Sequence, residues 1–178
     1  HYTRNFDENY TNKVAASTMY QEGVKVIFAC GGSVGKSVMS AASEAGTKVI
    51  GVDVDQRYDS ETVITSATKG LAASVISVLE SINKTENWDT FAGKTTYFNA
   101  ANDGVGLPTT VIGDEKADAF DRFESFNEAK YDEVFARLVD GNVEPIREIE
   151  VEDATGYATA EELTNALNLH KVKVTTRQ

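Results

Sequence analysis

Cysteine occurs once in the 178 residues, tryptophan once, and histidine and proline twice each. A lone Cys30 excludes an internal disulfide and a thiolate zinc cluster. With only His1 and His170 beside it, the donors of a structural metal site are missing, so no metal and no cofactor is expected. No apolar run approaches the roughly 18 residues of a membrane span, and no stretch reads as a secretory leader. Basic residues are scarce too: 17 Lys and Arg against 28 Asp and Glu leave a net charge of −11. That argues against a nucleic-acid-binding face, which needs clustered cations, and reads as acidity in the service of solubility. What is present is ordinary for a globular chain, with 41% hydrophobic residues able to fill one sizeable core or two small lobes that share it. The first residue is His, so the chain reads as a mature, processed or truncated product.

Periodicity predicts an α/β protein. "DENYTNKVAASTMYQEG" reads as a helix capped by Asp7 or Asn9, with Val14, Met19 and Tyr20 on one face and Gly23 at its end. "VKVIFAC" is a short apolar run expected to be buried on both sides, "GKSVMSAASEAG" a second helix, and "KVIGVDVD" a second buried strand. Strand, helix, strand at this spacing is a βαβ unit, which places ligands at the carboxyl ends of parallel strands. "TVITSATKGLAASVISVLESI" predicts a strand running into a helix that buries Leu71, Val75, Val78, Leu79 and Ile82. "KTTYFNA" predicts another strand and "NDGVGLP" a glycine-rich turn. The stretch from Asp114 to Asn142 predicts one long helix with Phe120, Phe123, Tyr131, Val134, Phe135 and Leu138 in the core, stopped at Gly141. After Pro145 a strand "IREIEVE", a helix "TAEELTNALNL" with Thr159 as N-cap and Glu162 at N3, and a strand "KVKVTT" are expected.

The loop "CGGSVGKS" poses the chemical question. A phosphate-binding loop needs Gly-x-x-x-x-Gly-Lys-Ser, so that backbone N–H groups curl around phosphates while Lys meets them and Ser holds Mg²⁺. Gly35, Lys36 and Ser37 supply its second half, but Cys30 stands at the first position, where a side chain hinders the tight turn. Asp53 or Asp55 could imitate the metal-binding aspartate of such an enzyme. Against this stands the plainer reading that the glycines let the helix start close to the sheet.

Several ordered segments are similar to the basic membrane lipoprotein family, the purine-nucleoside-binding proteins of ABC importers. These are "ACGGSVG" after an apolar strand, "VIGVDVDQ" at 49–56, "VITSATK" at 63–69 and "NDGVGL" at 102–107. The opening "NFDENYTNKVAASTMYQEG" resembles the family segment that brings an aromatic residue to the ligand. The resemblance covers about 110 residues and departs at Val34 and at Lys36-Ser37. It implies a periplasmic-binding-protein-like (type I) fold, a parallel sheet flanked by helices, with one lobe and part of the second in this chain. Residues 1–178 would be the C-terminal portion of a two-lobed protein, 1–62 one α/β lobe, and 63–178 crossover strands and helices shared between lobes.

The same resemblance implies a binding protein and not an enzyme. It would capture a purine nucleoside outside the cytoplasm and deliver it to an ABC permease. A lipid anchor lying outside this chain would make the only membrane contact, and a fragment with uncovered sheet edges would be prone to form homo-oligomers. A fold retained as a surface lipoprotein without transport is a further reading. Among the residues, Asp53 at a strand end suits a ribose, because a carboxylate accepts from vicinal hydroxyls; as a turn or cap residue it would be structural. Asp55 reads as structural, accepting backbone N–H groups. Lys69, expected in the first turn of a helix, resembles the family lysine that donates to the ribose and pairs with the aspartate. Phe6 would stack on the base or act as a hydrophobic staple before a helix. Gly31 and Gly32 would let backbone amides approach the sugar, Phe28 could line the pocket, and Cys30 reads as a small buried apolar residue.

Overall fold

A computed structural model of the chain describes residues 1, 3–83, 88–114, 116–145 and 159–166. It divides into two compact units, residues 3–143 and residues 1–2 with 144–178.

In the larger unit, helix α1 (Tyr10–Gln21) starts where Asn9, in extended backbone, turns its side chain to accept from the Asn12 N–H at 2.9 Å. Its buried stripe is Asn12, Ala16 and Tyr20, one residue per turn. Val14, expected there, is 43% exposed. The small Ala16 marks the face that packs on α2 (Val34–Ala45), where Ala41 and Ala42 are equally buried. Helix α2 ends at Gly46 in a left-handed cap. Strands β1 (Val26–Phe28), β2 (Lys48–Asp53) and β3 (Val63–Lys69) lie side by side in parallel, and β4 (Val105–Gly106) adds antiparallel to β3. The core gathers Val34, Val38 and Met39 of α2 over Val49 and Val63 of the sheet, with Ala16 and Tyr20 of α1 beyond.

Several expectations need correcting. Strand β1 is an edge strand among the described residues, and Val26 and Phe28, on one face of it that they leave uncovered, are 40% and 53% exposed. Helix α3 (Leu71–Asn83) carries the expected apolar stripe, but among the described residues it packs chiefly on a short turn at Trp88–Thr90. Leu71, Val75, Leu79 and Ile82 therefore stay about half exposed, and Val78 is only partly covered. Residues 94–99 form no strand. Asn99 instead caps a 3-10 turn at Ala100–Asn102, accepting from the Ala101 N–H at 3.0 Å while Asn102 accepts from the Asn99 N–H at 2.7 Å. The long helix is less than half its expected length: α4 spans Glu128–Val139, capped by Asn127, and Val134 is 50% exposed. Phe120, Phe123 and Phe126 lie in the turns before it, and their rings meet one another and Tyr131 at centroid distances of 5.3–6.1 Å. Arg122 holds that irregular segment, donating to the carbonyls of Arg57, Ser60 and Val63 at 3.2, 3.1 and 2.6 Å.

In the smaller unit, helix α5 (Ala160–Ala166) opens with a reciprocal cap. The Glu162 N–H donates to Thr159 Oγ1 at 3.1 Å, and the Thr159 N–H to Glu162 Oε2 at 3.3 Å. The strands expected at 146–152 and 171–176 fall outside the described residues.

Candidate functional site

The carboxyl ends of β1, β2 and β3 lie next to one another, and three sequence-predicted segments meet there. After β1 comes the loop Cys30-Gly31-Gly32. Asp53 is the last residue of β2 and Lys69 the last of β3. Lys69 Nζ stands 2.6 Å from Asp53 Oδ1, with side chains 61% and 46% exposed. The two backbones are set one step apart in register, since Asp53 pairs with Thr68 and Lys69 with Val105 of β4. That pairing with β4 extends the strand through Lys69, so the lysine does not enter the first turn of α3, as the sequence suggested.

Asp53 has a φ of 70°, and the Val54 N–H donates back to the Val52 carbonyl at 2.8 Å. A bond from residue i+2 to residue i around a positive φ is a γ-turn of the strained kind. It bends the chain out of the sheet at the aspartate and presents the carboxylate at the strand ends. Asp53 is thus a turn residue and a candidate ligand group at once.

The hydrogen bond to Asp53, then its charge, raise the pKa of the Lys69 ammonium above the ordinary lysine value, with a smaller contribution from Cys30. Cys30 is exposed, not the buried apolar residue expected, because the chain has left the edge strand by Ala29. Alternation along the strand gave no sign of this.

Phe6 reaches the same loop. A β-carbon on Gly32, whose φ is 59°, would lie 3.4 Å from Phe6 Cβ and 3.5 Å from the Phe6 carbonyl oxygen, so the two segments are in contact. The helix is capped at Asn9, which makes Glu8 and not Phe6 the residue in staple position. The ring is left 74% exposed above the glycine loop. Gly31 lies in the same turn and accepts from the Val34 N–H at 3.2 Å, and Phe28 stands half-exposed at the end of β1.

Lys36 and Ser37 belong elsewhere. Ser37 is 3% exposed, and its Oγ accepts from the Asn9 N–H at 3.0 Å while donating to the Asn9 carbonyl at 3.1 Å. A hydroxyl spent on joining α1 to α2 cannot turn toward a magnesium ion. Lys36 is exposed and borders a surface depression with Ser40, Glu44 and Asp59.

Asp55 is locked below the turn. Arg57 is 6% exposed and grips its carboxylate from Nε (3.0 and 3.2 Å) and Nη2 (2.7 Å), and the Arg57 N–H adds a bond of 3.1 Å. The guanidinium also donates to the carbonyls of Ala119 at 2.6 Å and Thr110 at 3.1 Å. Burial pushes the Asp55 carboxyl up, but the bonds from Arg57, its charge and that of Arg122 together outweigh this and leave the pKa lowered. Among the described residues no three His, Cys, Asp or Glu side chains are grouped to hold a metal, and no helix is long and apolar enough to cross a membrane.

A mostly parallel sheet under flanking helices sets ligand-competent groups at its strand carboxyl ends, where open α/β sheets bind their ligands. The fold is similar to that of solute-binding proteins of an ABC transporter system from Aeropyrum pernix K1, with a TM-score of 0.60 at 20% identity over 93% of this chain and 51% of that one. A transcriptional activator of the comK gene from Bacillus halodurans shares the fold at a TM-score of 0.59 and 14% identity, over 85% of this chain and 47% of that one. The sequence model of the ABC transporter substrate-binding protein PnrA-like family (Bmp) matches residues 1–153, and the chain belongs to that family. It is 37% identical to Basic membrane protein D of Borreliella burgdorferi (strain JD1) over 109 residues, which are 60% of this chain and 31% of that protein. It is 29% identical to the ABC transporter nucleoside-binding protein BmpA of Lactococcus lactis subsp. cremoris (strain MG1363) over 136 residues, 66% of this chain and 38% of that protein. The chain thus spans well under half the length of the curated relatives it matches. The family is one of substrate-binding proteins, not of enzymes.

Proposed function

We propose that this chain is the C-terminal portion of a two-lobed extracytoplasmic binding protein that captures a purine nucleoside and passes it to an ABC permease. In this reading residues 1–62 form one α/β lobe and 63–178 the crossover and shared elements. A lipid anchor outside the chain ties the protein to the cell membrane. The single observation that supports it best is the 2.6 Å Asp53–Lys69 pair at the ends of adjacent parallel strands. A carboxylate and an ammonium side by side offer an acceptor and a donor, which match two vicinal hydroxyls of an uncharged ribose and leave no excess charge for a phosphate.

Phe6, open to solvent over the Gly31-Gly32 loop, supplies the flat apolar surface for a base, and in this reading Phe28, half-exposed at the end of β1, lines the pocket as well. The relative named as nucleoside-binding points to the same ligand class. Titration calorimetry of inosine into the full-length protein is the test. We expect saturable binding that falls about 100-fold or more in Asp53→Ala, the loss expected when a site built for hydroxyl groups loses its charged partner. A full-length protein that binds no purine nucleoside would refute the assignment.

A further inference from the structure

We propose that Gln56, which the ligand reading leaves without a role, is the positioning residue of the site: it holds the strained turn that aims Asp53 at the ligand. The proposal rests on the reading of Asp53 as a ligand group, but its structural half can be tested without a ligand.

At the end of β2 the Val52 N–H donates to Gln56 Oε1 at 2.9 Å, a side chain four residues ahead. Gln56 is itself fixed at two further points. Its N–H donates to Ser66 Oγ of β3 at 3.0 Å, with Ser66 fully buried, and its Nε2 donates to Asp59 at 3.4 Å. The Asp59 contact also sets which end of the amide faces Val52, because a carboxylate accepts from NH₂ and leaves the oxygen for the N–H. The side chain fits only because residue 51 is glycine. A β-carbon there would lie 2.6 Å from Ser66 Oγ and 2.7 Å from Gln56 Oε1.

Asp53 and Val54 are thereby held from both sides. Gln56 pins Val52 before them, and the Asp55–Arg57 clamp fixes the chain after them. This double constraint explains how a non-glycine residue keeps a φ of 70°, since such strain persists only when its surroundings over-determine it. The Asp53–Lys69 pair cannot impose the turn itself. Both side chains are about half exposed or more, and solvent screens such pairs strongly.

The test compares two variants of the full-length protein. Gln56→Met keeps the shape and removes the acceptor. Gln56→Glu combined with Asp59→Asn restores an acceptor for Val52 without placing two carboxylates together. We expect Gln56→Met to weaken inosine binding about tenfold or more, as for a partly buried donor left unpaired. Its Val54 amide, which closes the turn at Asp53, should exchange with deuterium faster without ligand. The double variant should return both readouts to within about threefold of the parent, less than the effect of one lost hydrogen bond. Parental affinity and parental Val54 exchange in Gln56→Met would overturn the proposal, and so would failure of the double variant to restore Val54 exchange. If the parent binds no nucleoside, the ligand assignment falls, while the Val54 exchange still decides whether Gln56 holds the turn.

Discussion

Lys69 Nζ and Asp53 Oδ1 are 2.6 Å apart, each on the last residue of its strand and one register step from the other. Neither side chain is buried, so the pair adds little to folding, and a tight contact at the strand ends is better placed to serve a ligand. The raised Lys69 pKa means that the lysine stays charged beyond its ordinary titration range. Affinity for adenosine, whose base stays neutral across this range, should therefore be flat from neutral pH to about pH 10, the ordinary lysine range, and decline only above it. A fall between pH 7 and 9, measured by calorimetry, would show that a group other than the Lys69 ammonium governs binding.

The glycine-lysine-serine sequence after β1 serves the fold. Lys36→Ala should leave nucleoside affinity unchanged, and the parent protein should retain no ATP in the presence of Mg²⁺. Ser37→Ala should destabilise the chain by about 1–3 kcal/mol, because it leaves the Asn9 N–H without its buried partner, while the Asn9 carbonyl keeps the Lys13 N–H. Urea unfolding reads this directly, and a Ser37→Ala protein of parental stability would contradict it.

Gly51→Ala should cost about 1–3 kcal/mol as an overpacked site. The added methyl group must displace both Ser66 Oγ and Gln56 Oε1, which would lie 2.6 and 2.7 Å from it. The same substitution should speed Val54 amide exchange, whereas alanine at Gly93, where an added β-carbon meets nothing within 4 Å, should leave that amide unchanged.

The Asp55–Arg57 pair gives stability a pH dependence of definite sign. Asp55 is depressed in the folded chain, so its contribution is complete above the ordinary aspartate value near 3.9 and is lost as pH falls through the lower folded value. Arg57→Ala should cost about 3–5 kcal/mol at pH 7, and the difference from the parent should shrink below about pH 4. An Arg57→Ala penalty that is the same at pH 7 and pH 3 would contradict this.

Much of the βαβ core was legible because its signals are local. Apolar runs, the Asn9 cap, Gly46 and the Thr159–Glu162 reciprocal cap each act within a few residues. Of the candidate site, Asp53 lies beside Lys69 and Phe6 beside Gly32, although Lys69 arrives on a strand instead of a helix. What failed depends on long-range partners. Phe120, Phe123 and Phe126 recur every third residue and imitate a helix face. Arg122 instead bonds carbonyls about 60 residues away, and Asn127 starts the helix after them. The exposure of Phe28 and of the α3 stripe follows from which surfaces the described residues leave uncovered, and no local pattern encodes that. Gln56 reads in sequence as the end of a motif; its role depends on Gly51 and Ser66 meeting it in space.

If a sugar's hydroxyls, and not a phosphate, engage Asp53 and Lys69, calorimetric titration of the full-length protein with inosine and with 2′,3′-dideoxyinosine should separate the two ligands. Inosine should bind saturably, and removing the hydroxyls should weaken binding about tenfold or more. Equal affinity for the two ligands, or tighter binding of the 5′-monophosphate than of inosine, would contradict it.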